Sequence, residues 1–228
     1  NLSDYKAFHL QKEEGVKLDE GASRRLIREN HLKGKYYSAK VPYGYNYYDH
    51  SDNLYDSYGV MHGMHVAGIV GANDAEAGLY GVAPEAQILA MKIFSDDLQY
   101  PTTFTDIWLK ALDDAITLKA DAVNMSLGSA AGFSIEGREY PEEKVMERAK
   151  KAGVFVSIAA GNDGSLMDGN RYGEKALEEN YDTALIANPA LDEPGMAVAS
   201  MENTKKTVPI LTWKDRNGRE VQDNITIQ

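Results

Sequence analysis

Between Ile88 and Ala159 the chain alternates short apolar runs with stretches of helical period, and this alternation constrains the fold more than any other feature. Ile88-Leu-Ala-Met-Lys-Ile93 is short and apolar, as a strand buried on both faces requires. The spacing of Ile107, Ala111, Leu112, Ala115 and Ile116 predicts a helix over about Asp106 to Lys119, with Thr103 and Asp106 forming a capping box. Asp121 to Met125 reads as the next strand. Pro141 opens a helix whose Val145, Met146, Ala149 and Ala152 share an inward face, Gly153 ends it, and Val154 to Ala159 follows as a further strand. Strands separated by helices in this way demand right-handed crossovers and a parallel sheet, with binding groups at the carboxyl ends of the strands.

The flanks are less regular. Asp19 to Asn30 reads as a helix with Asp19 as N-cap, Leu26 and Ile27 on one face and Gly34 just beyond its stop. Tyr36 to Tyr58 mixes Tyr, Asn, Asp, Gly and Pro in an order that no period organises, so it is expected to be surface loop, with Asp49, Asp52 and Asp56 solvated. A chain of 228 residues can bury one substantial core. With 24 basic and 35 acidic residues its formal charge is −11, and no basic stripe stands out, which excludes nucleic acid as an expected partner. The absence of cysteine excludes a disulfide framework and a thiolate metal site. No run is long and apolar enough to span a bilayer, and no signal peptide begins the sequence.

Three segments carry the chemistry. In His62-Gly-Met-His-Val-Ala-Gly-Ile-Val, small Gly63, Ala67 and Gly68 let a helix pack closely, which holds an imidazole at its entrance. Alone, it could equally be a metal pair or a capped core helix. The other two are Val123-Asn-Met-Ser-Leu-Gly128 and Ser157-Ile-Ala-Ala-Gly-Asn-Asp-Gly164, each placed where a strand ends. His65, a turn after His62, is expected to be a core imidazole, and His9, His31 and His50 to be solvated.

In order and spacing, these segments resemble the histidine, substrate-binding and oxyanion segments of the subtilisin-like serine proteases, over Met61 to Ala199. The Met of His-Gly-Met-His, the Tyr-rich stretch before it and the exit Val198-Ala-Ser-Met-Glu-Asn203 resemble the cell-envelope proteinases of Gram-positive bacteria, namely the lactocepin type and relatives that cleave host complement or chemokine proteins. The resemblance implies an α/β, three-layer subtilisin-like fold with a central parallel sheet, present as a partial domain. Residues 1–60 would be a subfamily-specific segment of it, 61–203 its core and 204–228 the approach to an inserted domain. The implied activity is serine endopeptidase, with His62 as general base and Asn162 as oxyanion donor. Ser126, Leu127 and Gly128 would pair with an extended substrate, Ala159, Ala160 and Gly161 would border the primary pocket with Gly128, and the opposite wall of the cleft would lie near Leu98 to Thr102. An extracellular, wall-attached setting is implied, through regions outside this chain, with a role in virulence.

Two departures matter. The family's catalytic aspartate follows an apolar strand, and its serine sits in Gly-Thr-Ser-Met-Ala. No aspartate or serine here has that setting, Ser165 and Ser200 included. The expected partners are therefore a protein or peptide substrate and a second fragment of the same precursor carrying the serine. Without that fragment, apolar surface at Val154 to Ile158 and Met196 to Ala199 is expected to lie poorly sheltered. No cofactor is required. Calcium is possible, because the spacing from His62 to Pro84 resembles that of a calcium loop and Asn73, Asp74 and Glu76 supply oxygens. The rival readings are a noncatalytic pseudoprotease binding proteins through the same cleft and, from the tyrosines alone, a sugar-binding module.

Overall fold

Parallel pairing organises the chain as the alternation requires, but in two separate pieces. The structure is a computed structural model that describes residues 5–56, 61–100, 102–129, 140–162, 186–191, 193–200, 210–214 and 220–224. Residues 1–198 form one compact unit. Its elements run α1 (Glu20–Glu29), β1 (Tyr43–Asn46), α2 (His62–Gly71), β2 (Asn73–Asp74), β3 (Leu79–Tyr80), β4 (Leu89–Lys92), α3 (Thr105–Thr117), β5 (Ala122–Met125), α4 (Pro141–Lys151), β6 (Phe155–Ala159) and β7 (Met196–Val198). β1 pairs in parallel with β4, from Tyr43 opposite Leu89 to Asn46 opposite Lys92. β5, β6 and β7 form a second parallel sheet in that order, with Val123 opposite Val156 and Ile158 opposite Ala197. β4 and β5 are not bonded to each other. Residues 199–228 are a separate unit, in which β8 (Ile210–Lys214) and β9 (Glu220–Asn224) pair antiparallel.

One helix spans the two sheets. Ala111 of α3 and Leu118 just past its end pack with Tyr43, Tyr45 and Tyr47, against Leu89 and Met91 of β4. Trp108 and Leu112 of the same helix pack with Met125, Met146, Ala149, Val156 and Ile158, joining β5, α4 and β6. Leu112 and Leu118 are almost fully buried, and truncating a buried leucine to alanine costs about 2–5 kcal/mol. α1 adds Leu26 and Ile27 on the same side. α2 covers the opposite face, where Met64 and Ala67 meet Ile88 and Ala90. Helices, sheet and helix thus make the three layers expected.

Local signals held at most helix ends. The Asp19 carboxylate accepts from the Ala22 N–H at 2.7 Å, Pro141 begins α4, and Gly153 takes φ +76° after it. Two expectations need correcting. The Thr103–Asp106 capping box does not form: the residue before α3 is Phe104, and the Thr103 hydroxyl is buried without a hydrogen bond. Ala152 is exposed rather than inward, because it already lies beyond the last turn.

The larger correction concerns the tyrosine-rich stretch. Residues 39–47 of it are interior rather than surface loop. Val41, Tyr43, Tyr45, Tyr47 and Asn46 are buried, and β1 runs through their middle. What hid the strand is that tyrosine buries its ring only if its hydroxyl finds a partner, and those partners come from distant residues. Tyr43 accepts from the Gly34 N–H at 3.3 Å and meets the Tyr47 hydroxyl at 3.1 Å, and Tyr47 donates to Asp114 of α3 at 2.9 Å. Lys110 then pairs with the other oxygen of Asp114. Gly34 is required here, since a Cβ would stand 2.5 Å from both the Gly44 carbonyl and the Tyr43 ring.

Among the described residues, the sheet β5–β6–β7 is covered on one side. Val154, Val156 and Ile158 are buried beneath α3 and α4, so the expectation that they lie unsheltered is wrong. Their neighbours on the other face behave as expected: Phe155, Met196 and Val198 are about half exposed. Asn124 shares that open face, and on α2 both Ile69 and His65 are exposed, the latter contrary to its reading as a core imidazole.

Burial pushes the Tyr43 hydroxyl up to about 12, with its bond to Tyr47 pulling the other way, and burial together with Asp52 pushes Tyr37 to about 12. Tyr47 is raised by burial first and then by Tyr43 and Asp114. In the unfolded chain these phenols ionise near 10, so folding holds their protons. Their contribution to stability is intact below pH 10 and is lost as pH rises through the folded values. The melting temperature of the folded protein is expected to fall most steeply between pH 10 and about 12, with phenolate absorbance appearing together with unfolding, and Tyr43→Phe should blunt the fall.

Candidate active site

The carboxyl ends of the two sheets meet. A cavity of about 340 Å³ is lined by Phe94, just past β4, and by Leu127 and Gly128, just past β5, so the two pieces of sheet present the same edge to one cleft. Each of the three sequence segments adjoins the carboxyl end of a strand, though neither His62 nor Asn162 lines the cavity itself. His62 is the first residue of α2, Ser126 to Gly128 leave β5, and Asn162 follows β6.

α2 lacks a cap of its own, since Met61 makes no side-chain bond at its start. Asp56 supplies one from outside the helix, accepting the Met64 N–H at 3.3 Å. Its other oxygen takes Lys92 Nζ at 2.5 Å, and Lys92 also reaches Asp96 at 2.7 Å. The Lys92 and Asp56 side chains are only 10% and 13% exposed, so Asp56 is not a solvated loop residue. Burial disfavours the Lys92 charge, but the two carboxylates outweigh it and its pKa is raised. The first turn of α2 is thereby tied to the end of β4, and the exposed imidazole of His62 stands on a fixed base. Asp49 and Asp52 are engaged elsewhere, the first with the Asn46 amide at 2.8 Å and the second with Lys35 at 3.2 Å.

Beyond β6, Ala160 donates to the Val198 carbonyl at 2.8 Å and accepts from Ala187 at 2.9 Å. Gly161 then turns at φ +106°, a conformation side chains rarely adopt, and delivers exposed Asn162 to the edge. Among the described residues, the backbone groups of Ser126, Leu127 and Gly128 make no backbone hydrogen bonds, whereas Ser129 pairs both ways with Asn188 at 2.9 and 3.0 Å. The free edge is therefore three residues long. Ala187 joins the two pocket segments, because its Cβ lies 2.9 Å from where a Cβ on Gly128 would stand and 2.8 Å from one on Gly161. Only glycine fits at either place.

The stretch expected to form the opposite wall, Leu98 to Thr102, reaches the cavity at Thr102. Leu98 is largely exposed, and the cavity is lined from Thr102 onward, by Thr103, Phe104 and Trp108. The sequence reading missed Asp56, Lys92 and Ala187. Lys92 did leave a signal, as the single charge inside the apolar run Ile88 to Ile93. Ala187 left none. Ser165 and the Asp163-Gly164 turn lie outside the described residues.

Comparison with known proteins agrees with this geometry, for the sequence matches the subtilase family over residues 18–218. The chain belongs to the subtilase family. It is 35% identical over 222 residues to the PI-type proteinase of Lactococcus lactis subsp. cremoris, covering 95% of this chain but 12% of that protein. To the PII-type proteinase of Lacticaseibacillus paracasei it is 35% identical over 226 residues, covering 97% of this chain and 11% of the relative. The C5a peptidase of Streptococcus pyogenes serotype M1 is 29% identical over 197 residues, 82% of this chain and 16% of its own length. This subtilase chain thus spans a small part of the relatives it matches. Among solved structures, the protease domain of PatA shares its fold with a TM-score of 0.50 at 23% identity, over 67% of this chain and 48% of PatA's domain.

The residues named for calcium have partners within the protein. Asp74 is used by its own turn, accepting from Glu76 and Ala77 at 3.1 and 3.0 Å. The Asn73 side chain is held by Glu85 at 2.6 Å, the His9 carbonyl at 3.3 Å and Gln11 at 3.5 Å. Through Asn73 these contacts anchor the N-terminal segment at His9 and Gln11.

Two substitutions test the scaffold. Asp56→Ala removes a helix cap and half of Lys92's charge partners, and is expected to cost about 1–3 kcal/mol in denaturant unfolding. Gly161→Ala meets both the strained φ and the Ala187 methyl, and should cost a similar amount, about 1–3 kcal/mol.

Proposed function

We propose that this chain supplies the base and the oxyanion donor of a secreted, wall-attached bacterial serine endopeptidase, and that the nucleophilic serine and the orienting aspartate come from a further segment of the same precursor. The observation that carries the reading is that Ser126 to Gly128 and Asn162 follow the carboxyl ends of β5 and β6, while His62 opens the helix tied through Asp56 to Lys92 at the end of β4. An extended peptide adds to the free edge at Ser126 to Gly128 through main-chain bonds. The serine oxygen attacks the scissile carbonyl while the His62 imidazole takes its proton and then delivers it to the leaving amine. The Asn162 carboxamide donates to the oxyanion of the tetrahedral intermediate. Water then enters and His62 repeats the transfer to release the acyl product. Loss of an oxyanion donor costs about a hundred- to thousandfold in turnover, a magnitude taken from subtilisin itself.

The interrupted sheet supports a second segment. α3 packs on both β4 and β5, although these strands are not bonded to one another. A strand bonded to each would join the two pieces, and an aspartate at its carboxyl end would reach the same edge as His62. The open face of β5–β6–β7, with Phe155, Met196 and Val198, offers apolar cover for the helix that would follow the serine. A noncatalytic pseudoprotease would keep the same cleft without the nucleophile. Of the tyrosines on which a sugar-binding reading would rest, Tyr43, Tyr45 and Tyr47 are interior and Tyr55 is exposed.

Residues 1–228 alone are expected to escape labelling by a fluorophosphonate serine probe, and the protein assembled with its second segment to be labelled. Absence of labelling in the assembled protein would favour the pseudoprotease. In the active assembly, His62→Ala should abolish peptide hydrolysis. His65→Ala should leave kcat/KM within about twofold and change stability by less than about 0.5 kcal/mol, as for an exposed residue. Size-exclusion chromatography of the separate chain should show association or aggregation, and a monodisperse monomer with a cooperative melt would count against the second segment.

A further inference from the structure

Beneath the turn that carries the base lies a charge that takes no part in proton transfer. Lys92 closes β4, a strand otherwise apolar, and its side chain is largely buried. Alternation along the strand places it on the same face as Ile88 and Ala90, which share an apolar cluster with Met64 and Ala67 of α2. Nζ reaches Asp56 at 2.5 Å and Asp96 at 2.7 Å, while the Lys92 carbonyl accepts the Tyr47 N–H at 2.7 Å. The two carboxylates lead to different places. Asp56 Oδ2 accepts from Met64 in the first turn of α2, and lies 3.6 Å from where a Cβ on Gly63, the residue after His62, would stand. Asp96 belongs to the segment after β4, where Phe94 and Thr102 line the cleft cavity and the Ser95 N–H donates to the Thr102 carbonyl at 3.0 Å. A helix cap alone needs no such lysine, since a neutral serine or asparagine supplies the same acceptor without burying a charge.

From this arrangement we infer that Lys92 is a positioning residue for the general base: acting through Asp56, it holds the helix that carries His62 in register with the strand ends where the peptide lies. The inference rests on the peptidase reading above. The substrate edge and the oxyanion donor follow β5 and β6, whereas the base rides on a helix packed across the sheet. Apolar contacts such as those of Met64 and Ala67 are non-directional and allow small shifts, which a charge-assisted hydrogen bond resists. With one oxygen held by β4 and the other by α2, the Asp56 carboxylate cannot turn without breaking a bond. Through Asp96 the same ammonium holds the segment beside the cavity, so base and cleft wall share one anchor. A misplacement of about 1 Å can cost on the order of a hundredfold in rate, so this hold bears on turnover more than on substrate affinity.

The test uses the assembled peptidase and reads kcat and KM on one peptide together with the melting temperature. Lys92→Met, which keeps the length and removes the charge, should lower kcat about tenfold or more and leave KM within about twofold. Lys92→Arg, able to meet both carboxylates, should recover kcat to within about threefold of the parent. Because Lys92→Met strands the Asp56 charge, Asp56→Asn is added in the same chain. That double variant keeps an acceptor for the Met64 N–H, and should recover melting temperature without recovering kcat. A kcat unchanged in Lys92→Met, a loss carried by KM instead, or a kcat restored along with the melting temperature in the double variant overturns the proposal, for then the lysine only balances a charge. A second readout needs no turnover. The NMR signal of the isotope-labelled His62 imidazole, identified by its loss in His62→Gln, should broaden or split in the double variant while those of His9, His31 and His50 stay as they were. If the parent assembly cuts nothing, the peptidase reading fails, and a broadened His62 signal still upholds the positioning while an unchanged one ends it.

Discussion

Helix α3 is the constraint on which the rest of the unit depends, because it alone among the described helices packs into both pieces of the parallel sheet. Its two apolar stripes differ in kind. The stripe with Trp108 and Leu112 meets aliphatic side chains of β5, β6 and α4, while Ala111 and Leu118 meet a cluster of tyrosines. Between them sits Asp114, a carboxylate with almost no exposure, bonded to Tyr47 and paired with Lys110. Removing one partner of a buried charge costs about 3–5 kcal/mol, since the other is left uncompensated. That network therefore fixes the helix in one position against β1, beyond what apolar contact alone would specify, and the cleft geometry inherits its accuracy.

What could be read from the sequence was local. The strands at Leu89, Ala122 and Phe155, the helices between them and the Pro141 and Gly153 boundaries follow from periods and end signals that are complete within a few residues. The three segments that carry the family resemblance were legible for the same reason. β1 was not, because tyrosine, asparagine and glycine read as loop until Gly34, Asp114 and Asp49 are brought to their polar groups by the fold. His65 failed in the opposite sense. Its helix is apolar enough to look buried, yet the face above it is open.

The same distinction governs the cleft. Asn162, Gly161 and Gly128 announce themselves as small and polar residues after apolar runs. The residue that makes glycine obligatory at two of those positions, Ala187, lies in a segment with no pattern of its own. Lys92 is similar: it is a charge at the edge of an ordinary strand, and only the structure shows it to be held by two carboxylates.

The cap on α2 has a consequence for the order in which the molecule is made. Asp56 and Lys92 are separated by 36 positions, and their contact reaches across the whole helix that carries His62. A helix that capped itself could hold its first residue in place as soon as its own turns formed. This one cannot, since its cap is steadied by a residue at the end of β4. The placement of the first turn of α2 is therefore a long-range property, tied to sheet formation and to the loop-closure entropy of bringing those two residues together, rather than to the helical tendency of the segment in which the histidine sits.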